Sequence, residues 1–153
     1  MDDVKRILIV SKITKDCQEA VRCGVSLSQK YGAQLYVIHV IHNPFSLQGW
    51  NIPVPSVEKE YMQLLQETKK ELDAVIDLEK KKGMSVKEMV REGEPVKEIL
   101  KVVKEENIDL LIMLAHTEGR FEHFLFGRMD DEIIRKLPCS LLLLKKEPGP
   151  VEY

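Results

Sequence analysis

The chain has 153 residues, of which 44% are hydrophobic and 31% are charged, a composition typical of one compact domain. A disordered chain and a collagen-like fibre are therefore excluded. The 23 Lys and Arg residues are balanced by 25 Asp and Glu residues, so no excess of positive charge points to a nucleic-acid partner. We predict a single domain over residues 1–146 and a flexible tail over 147–153.

The apolar run near residue 1 is too short for a signal peptide or a membrane span. We therefore expect a cytoplasmic protein without membrane contact. The cysteines Cys17, Cys23 and Cys139 lack C-x-x-C spacing, so they form neither a disulfide framework nor a zinc site. We expect them to be small, reduced, apolar residues. Cys17 also fits a redox-sensitive thiol at a helix start, and the sequence leaves this alternative open.

Apolar runs of strand length alternate with stretches of helical periodicity along the whole chain. The first half predicts a strand over 6–10, then a helix, and a second strand over 34–41. The helix carries Ala20, Gly24, Leu27 and Tyr31 on one face. The segment 43–55 carries three prolines and the single tryptophan, which predicts a loop. Its apolar side chains make it a candidate surface for a protein partner, with folding back onto the long helix that follows as the alternative.

The second half continues the same alternation. Ser56 is a candidate N-cap, and one stripe at helical spacing predicts a long amphipathic helix after it. The stripe consists of Val57, Tyr61, Leu64, Leu65, Thr68, Leu72, Val75 and Ile76. The remaining predicted elements are an edge strand over 84–91, a short helix beginning at Pro95, a strand over 109–114 that is buried on both faces, a loop over 115–127, a helix through Ile133 that stops before Pro138, and a final strand over 140–144.

Five strands with four intervening helical segments predict right-handed crossovers. The fold class is therefore α/β, with an open parallel five-stranded sheet between two helical layers. Ligands of such sheets bind beyond the carboxyl ends of the strands, where the strand order reverses. The loops that begin after Val10 and after Leu114 are accordingly the first candidates for a binding site.

Several local patterns occur in a characteristic order. They are Tyr31-Gly32-Ala33-Gln34-Leu35 leading into His39-Val40, Glu92-Gly93-Glu94-Pro95 followed by Ile99, and Gly127 followed by Ile133, Ile134 and Pro138-Cys139. In this order and spacing the sequence resembles the universal stress protein family over residues 5–145. The resemblance implies strand order 3-2-1-4-5 and a cytoplasmic stress-response protein. It also implies a homodimer formed through the last strand, by Leu141, Leu142, Leu143 and Leu144.

Members of that family that bind ATP carry an Asp after the first strand and a glycine-rich loop after the fourth. Aligned with this pattern, Gly127 matches the third glycine, but Leu114 and Thr117 stand at the first two glycine positions. Arg128 replaces a Ser or Thr, and Lys12 replaces the Asp. Because the glycines let backbone N–H groups approach phosphate oxygens, these substitutions predict a degenerate nucleotide pocket.

Our leading hypothesis is a non-catalytic homodimer that regulates a stress response and binds ATP weakly or not at all. The alternative is a family member that binds ATP, or another adenine nucleotide, and hydrolyses it slowly at most. The residues that would contact the nucleotide are Lys12, Val40, Ile41, His116, Arg120, Gly127 and Arg128.

His116 and His123 flank two glutamates, and imidazole together with carboxylate suits zinc or manganese. Their spacing matches no known ligand motif, so we predict no metal there. A hydrolase built around these two histidines is a third, more distant hypothesis. His39 is expected to be a packed strand residue.

Overall fold

The computed structural model describes residues 3–11, 17–41, 55–115 and 129–145. These ranges form five strands and four helices. In chain order they are β1 (Arg6–Ser11), α1 (Cys17–Tyr31), β2 (Gln34–Ile41), α2 (Pro55–Lys81), β3 (Val86–Glu92), α3 (Pro95–Glu105), β4 (Leu110–Leu114), α4 (Met129–Lys136) and β5 (Ser140–Leu144).

All strand pairs are parallel, and the strand order is β3-β2-β1-β4-β5. The predicted α/β class and the order 3-2-1-4-5 are therefore confirmed. The predicted bounds of β2 and β5 match the structure, whereas β3 begins two residues later than predicted. The domain bounds 1–146 stay a prediction. Except for Pro55, the loop over 43–55 lies outside the described residues, as does the tail over 147–153.

Two hydrophobic clusters cover the two faces of the sheet. Successive side chains of β1 point to opposite faces of the sheet. Leu8 and Val10 face α3 and α4, and Ile7 and Ile9 face α1 and α2. We call these the α3/α4 face and the α1/α2 face. β4 is buried along its entire length, as predicted for a central parallel strand.

Helix α1 approaches the sheet closely at Gly24. A Cβ atom added there would lie 2.7 Å from Ile9 Cγ1 and closer still to Ile9 Cδ1. The helix ends at Gly32, whose φ of 65° favours glycine. The Ala33 amide then donates to the Ser28 carbonyl at 3.0 Å, which turns the chain into β2.

Helix α2 turns a narrow stripe toward the sheet. Leu65, Thr68, Leu72 and Ile76 are buried, but Leu64 is exposed. The sequence pattern predicted that Leu64 belongs to the same stripe, and this was wrong. Leu64 directly precedes the buried Leu65, and successive residues of a helix point about 100° apart, so Leu64 faces away from the sheet. Within the described ranges, no helix combines the length and the apolar composition needed to cross a bilayer.

Candidate functional site

The carboxyl ends of β1, β2 and β4 lie at one edge of the sheet. Ser11 ends β1 and pairs in register with His39, while Leu114 ends β4. The strand order reverses between β1 and β4, because one neighbour of β1 is β2 and the other is β4. A doubly wound sheet commonly binds its ligand at such a point, and a nucleotide pocket there stays a prediction.

Two of the candidate nucleotide-binding residues belong to the described part of the chain. Val40 is buried in the cluster on the α3/α4 face, and Ile41 is the half-buried last residue of β2. The Ile41 carbonyl accepts a hydrogen bond from the Gly93 amide at 3.3 Å. The other candidates lie outside the described residues and stay predictions: Lys12, His116, Arg120, Gly127 and Arg128.

Leu114 stands at the motif's first glycine position. Its relative exposure is 4%, and it pairs in register with Leu144 of β5. The Ala115 amide donates to the Leu144 carbonyl at 2.7 Å, which continues the ladder one residue past β4. A buried leucine in a regular strand therefore occupies the position where a glycine would let a ligand approach the backbone N–H groups.

A second group of polar residues lies on the α1/α2 face. His39 of β2 is completely buried (0% exposed). Its Nε2 atom is 3.2 Å from Glu88 Oε2 of β3 and 3.9 Å from Asp73 Oδ1 of α2. We call His39, Asp73 and Glu88 the His39 cluster. It joins three elements that are distant in sequence.

Each carboxylate of the His39 cluster also binds a lysine of α2. Lys69 Nζ is 2.8 Å from Asp73 Oδ2, and Lys80 Nζ is 3.0 Å from Glu88 Oε1. The lysines therefore hold the outer carboxylate oxygens, and the inner oxygens are directed toward His39. Among the described residues, Asp73 Oδ1 and His39 Nδ1 are buried without a hydrogen-bond partner.

Burial sets the charge state of the imidazole. It lowers the pKa of His39, and the hydrogen bond with Glu88 opposes this effect. The positive charge of Lys69 lowers the pKa further. Burial and the nearby lysine thus favour the neutral imidazole, in which Nε2 carries the proton and donates it toward Glu88.

Sequence reasoning singled out His39 as a packed strand residue and missed its two carboxylate neighbours. A signal for Glu88 was present, because it alternates with Val86 and Val90 and so lies on the same face of the edge strand as these two apolar residues. Asp73 lies one residue after Leu72 and four after Lys69, which places it beside the buried stripe of α2. His116 and His123 lie outside the described residues, so the expectation of no metal at that pair stays a prediction.

Strand β5 lies at one edge of the sheet, and Leu143 is 37% exposed there. Leu141 packs against the cluster on the α3/α4 face, whereas Leu142 and Leu144 pack against the cluster on the α1/α2 face. In the described ranges no strand covers the outer side of β5. The predicted apolar edge is therefore present, and its use in a homodimer stays a prediction.

The three cysteines form no disulfide. Cys17 is completely buried in the α1/α2 face, so its thiol is shielded from reagents in solution. Cys23 and Cys139 are half-buried, and burial raises the pKa of each thiol. This favours the expectation of inert, reduced thiols over a redox-sensitive one.

Comparisons with known proteins give a consistent result. The model of the universal stress protein family matches residues 3–145. Universal stress protein MJ0577 of Methanocaldococcus jannaschii is 24% identical over 155 residues, covering 94% of this chain and 96% of its own. Its solved structure superposes with a TM-score of 0.69 at 22% identity, covering 95% of this chain and 99% of that one.

Two further solved structures share the fold at lower identity. A universal stress protein from Archaeoglobus fulgidus in complex with dAMP has a TM-score of 0.59 at 16% identity, covering 94% of this chain and 98% of its own. A universal stress protein in complex with cAMP has a TM-score of 0.59 at 15% identity, covering 93% and 97%.

Proposed function

Because the chain belongs to the universal stress protein family, we propose that it is a cytoplasmic stress-response and regulatory protein that acts as a non-catalytic homodimer. Its nucleotide pocket is degenerate, so ATP binds weakly or not at all. The observation that carries this proposal is the buried Leu114 at the carboxyl end of β4.

The argument from Leu114 is steric. Phosphate oxygens are held by successive backbone N–H groups, which requires close approach and often a positive φ. A leucine side chain packed at that point obstructs both. Thr117 stands at the second glycine position and Arg128 at the Ser or Thr position. Of the four positions of the glycine-rich motif, only Gly127 therefore carries the expected residue.

The second candidate is an adenine-nucleotide-binding protein. Two universal stress proteins of the same fold have been solved with dAMP and with cAMP, which favours adenine over other bases. In this alternative Val40 and Ile41 lie near the base, while Lys12, Arg120 and Arg128 contact the phosphates. The fold similarity supports the location of such a pocket, and the altered motif argues against tight phosphate binding.

Isothermal titration of the nucleotide-free protein separates the two candidates. The ligands are ATP and AMP, each with and without magnesium, and a phosphate-release assay follows any hydrolysis. We expect no binding heat at millimolar ATP and no released phosphate. Micromolar, magnesium-linked binding of ATP would overturn the degenerate pocket and make Arg128→Ala and Lys12→Ala the next variants.

A gain-of-function variant tests the steric argument itself. Leu114→Gly combined with Thr117→Gly restores both glycines, and we expect it to raise ATP affinity at least tenfold. Leu114→Ala with Thr117→Ala is the matched control, because it removes bulk without granting the conformational freedom of glycine. Equal affinities of the two double variants would show that the missing glycines do not limit binding.

We propose that the homodimer forms through the outer side of β5. An apolar, uncharged edge strand is a template for pairing with another chain. Light scattering at micromolar concentration should give the mass of a dimer, and Leu143→Lys should shift it toward the monomer. Ile134→Lys is the matched control, since Ile134 is an exposed apolar residue on α4. A monomeric mass for the unmodified protein would refute this assembly.

A further inference from the structure

We propose that the His39 cluster is a binding site for a divalent transition-metal ion of the zinc class. His39, Asp73 and Glu88 each offer one ligand atom, and these three atoms lie within 4.8 Å of one another. The site lies on the α1/α2 face, between α2 and the strands β2 and β3. It is independent of the nucleotide pocket and of the proposed function.

The spacing of the ligand atoms fits a four-coordinate ion. Nitrogen and oxygen ligands at about 2.0–2.2 Å from zinc are separated from one another by roughly 3.4 Å in a tetrahedron. The Nε2 atom of His39 is 3.2 Å from Glu88 Oε2 and 3.9 Å from Asp73 Oδ1. A small shift of the Asp73 side chain would therefore place all three ligand atoms at bonding distance from one zinc ion.

The ligand chemistry selects the class of ion. One imidazole nitrogen with two carboxylate oxygens suits zinc, manganese or iron better than calcium, which takes six to eight oxygen ligands. In the metal-free protein the hydrogen bond to Glu88 at 3.2 Å places the ring proton on Nε2, so an ion bound at Nε2 requires that proton to move to the unpartnered Nδ1. Three protein ligands leave a fourth position for water, and Asp73, with a side chain 35% exposed, gives the ion a path from solvent.

The surroundings already orient the ligands. Lys69 and Lys80 bind the outer oxygens of the two carboxylates and thereby fix the direction of the inner oxygens. Hydrogen-bond partners of metal ligands commonly orient the ligands in this way. The buried Asp73 Oδ1 has no hydrogen-bond partner among the described residues, and a bound cation would satisfy it. The positive charge of Lys69 acts on His39 and therefore also opposes a bound cation, and the two negative carboxylates of the cluster offset this repulsion.

Zinc titration of the full-length, metal-free protein tests the proposal. We expect one zinc ion per chain with micromolar or tighter affinity, and an increase in melting temperature on zinc addition. Asp73→Asn and Glu88→Gln should each weaken zinc binding by about 100-fold, since loss of a direct ligand costs at least as much as loss of an outer partner. Asp77→Asn, an exposed carboxylate one turn later on α2, should bind zinc like the unmodified protein.

Cobalt substitution identifies the ligands without removing them. A cobalt(II) complex of this site should show visible bands of a low-symmetry nitrogen and oxygen environment and no thiolate-to-cobalt charge transfer. A His116→Ala, His123→Ala double variant should give the same spectrum. Absence of zinc binding, equal binding by Asp73→Asn and Asp77→Asn, or a thiolate band would each overturn the proposal.

Discussion

The two faces of the sheet are built from different kinds of side chain. The cluster on the α3/α4 face contains hydrophobic residues throughout. The α1/α2 face includes Ser11, Ser28, His39 and Thr68, which are all four of the buried polar residues in the described part of the chain. Apolar side chains thus make up the buried layer of one face, whereas the other face also buries polar groups. The comparison directs the search for unassigned chemistry to the α1/α2 face.

The largest expected effect comes from the apolar face. Ile99→Ala on α3 empties a completely buried site and should lower the free energy of unfolding by about 3 kcal/mol, from lost burial and the cavity left behind. Urea denaturation measures it. Ile134→Ala, at an exposed position of α4, should change stability by less than about 0.5 kcal/mol. Similar losses for both variants would mean that the α3/α4 face is not packed as described.

Gly24→Ala tests the close approach of α1 on the other face. Alanine is the better helix former, but its Cβ would collide with Ile9, and such overpacking costs about 1–3 kcal/mol. We expect a net loss of about 1 kcal/mol by urea denaturation. Ser26→Ala, exposed on the same helix, should be neutral or slightly stabilising. Stabilisation by Gly24→Ala would contradict the contact with Ile9.

His39→Leu sharpens the contrast between the faces. In metal-free protein it removes a buried imidazole with an unpartnered Nδ1, and Glu88 keeps its ion pair with Lys80. Removing one partner of a buried hydrogen bond costs about 1–3 kcal/mol, and the partly exposed Glu88 keeps Lys80, so stability to urea should fall by about 1 kcal/mol. A loss above about 2 kcal/mol would show that the imidazole stabilises this face.

The smallest expected effect concerns the thiols. Burial raises the pKa of Cys139 and of Cys23, so less thiolate is present at neutral pH than in an unfolded chain. Alkylation of these thiols by iodoacetamide at pH 7.5 should be slower than alkylation of a short cysteine peptide. The pH at which the alkylation rate rises should also be higher for the protein than for the peptide. Mass spectrometry of the labelled peptides measures it. Rates equal to those of the peptide would place these thiols in water.

Sequence patterns predicted the fold more completely than they predicted the His39 cluster. The bounds of β2 and β5 were recovered because each is an apolar run flanked by residues that break the pattern. Glu88 was missed because it is 49 residues from His39, and only the pairing of β2 with β3 brings the two together. A pattern read along the chain reports which side chains point inward, but not which neighbour they meet.

The two edges of the sheet differ in charge, and this limits how copies of the chain can join. β5 presents leucines at one edge, whereas β3 at the other edge carries Lys87, Glu88, Arg91 and Glu92. Charged edge strands resist the addition of another strand. The proposed pairing of two β5 strands would therefore leave only charged edges outward, so growth would stop at a closed pair and would not continue into a filament.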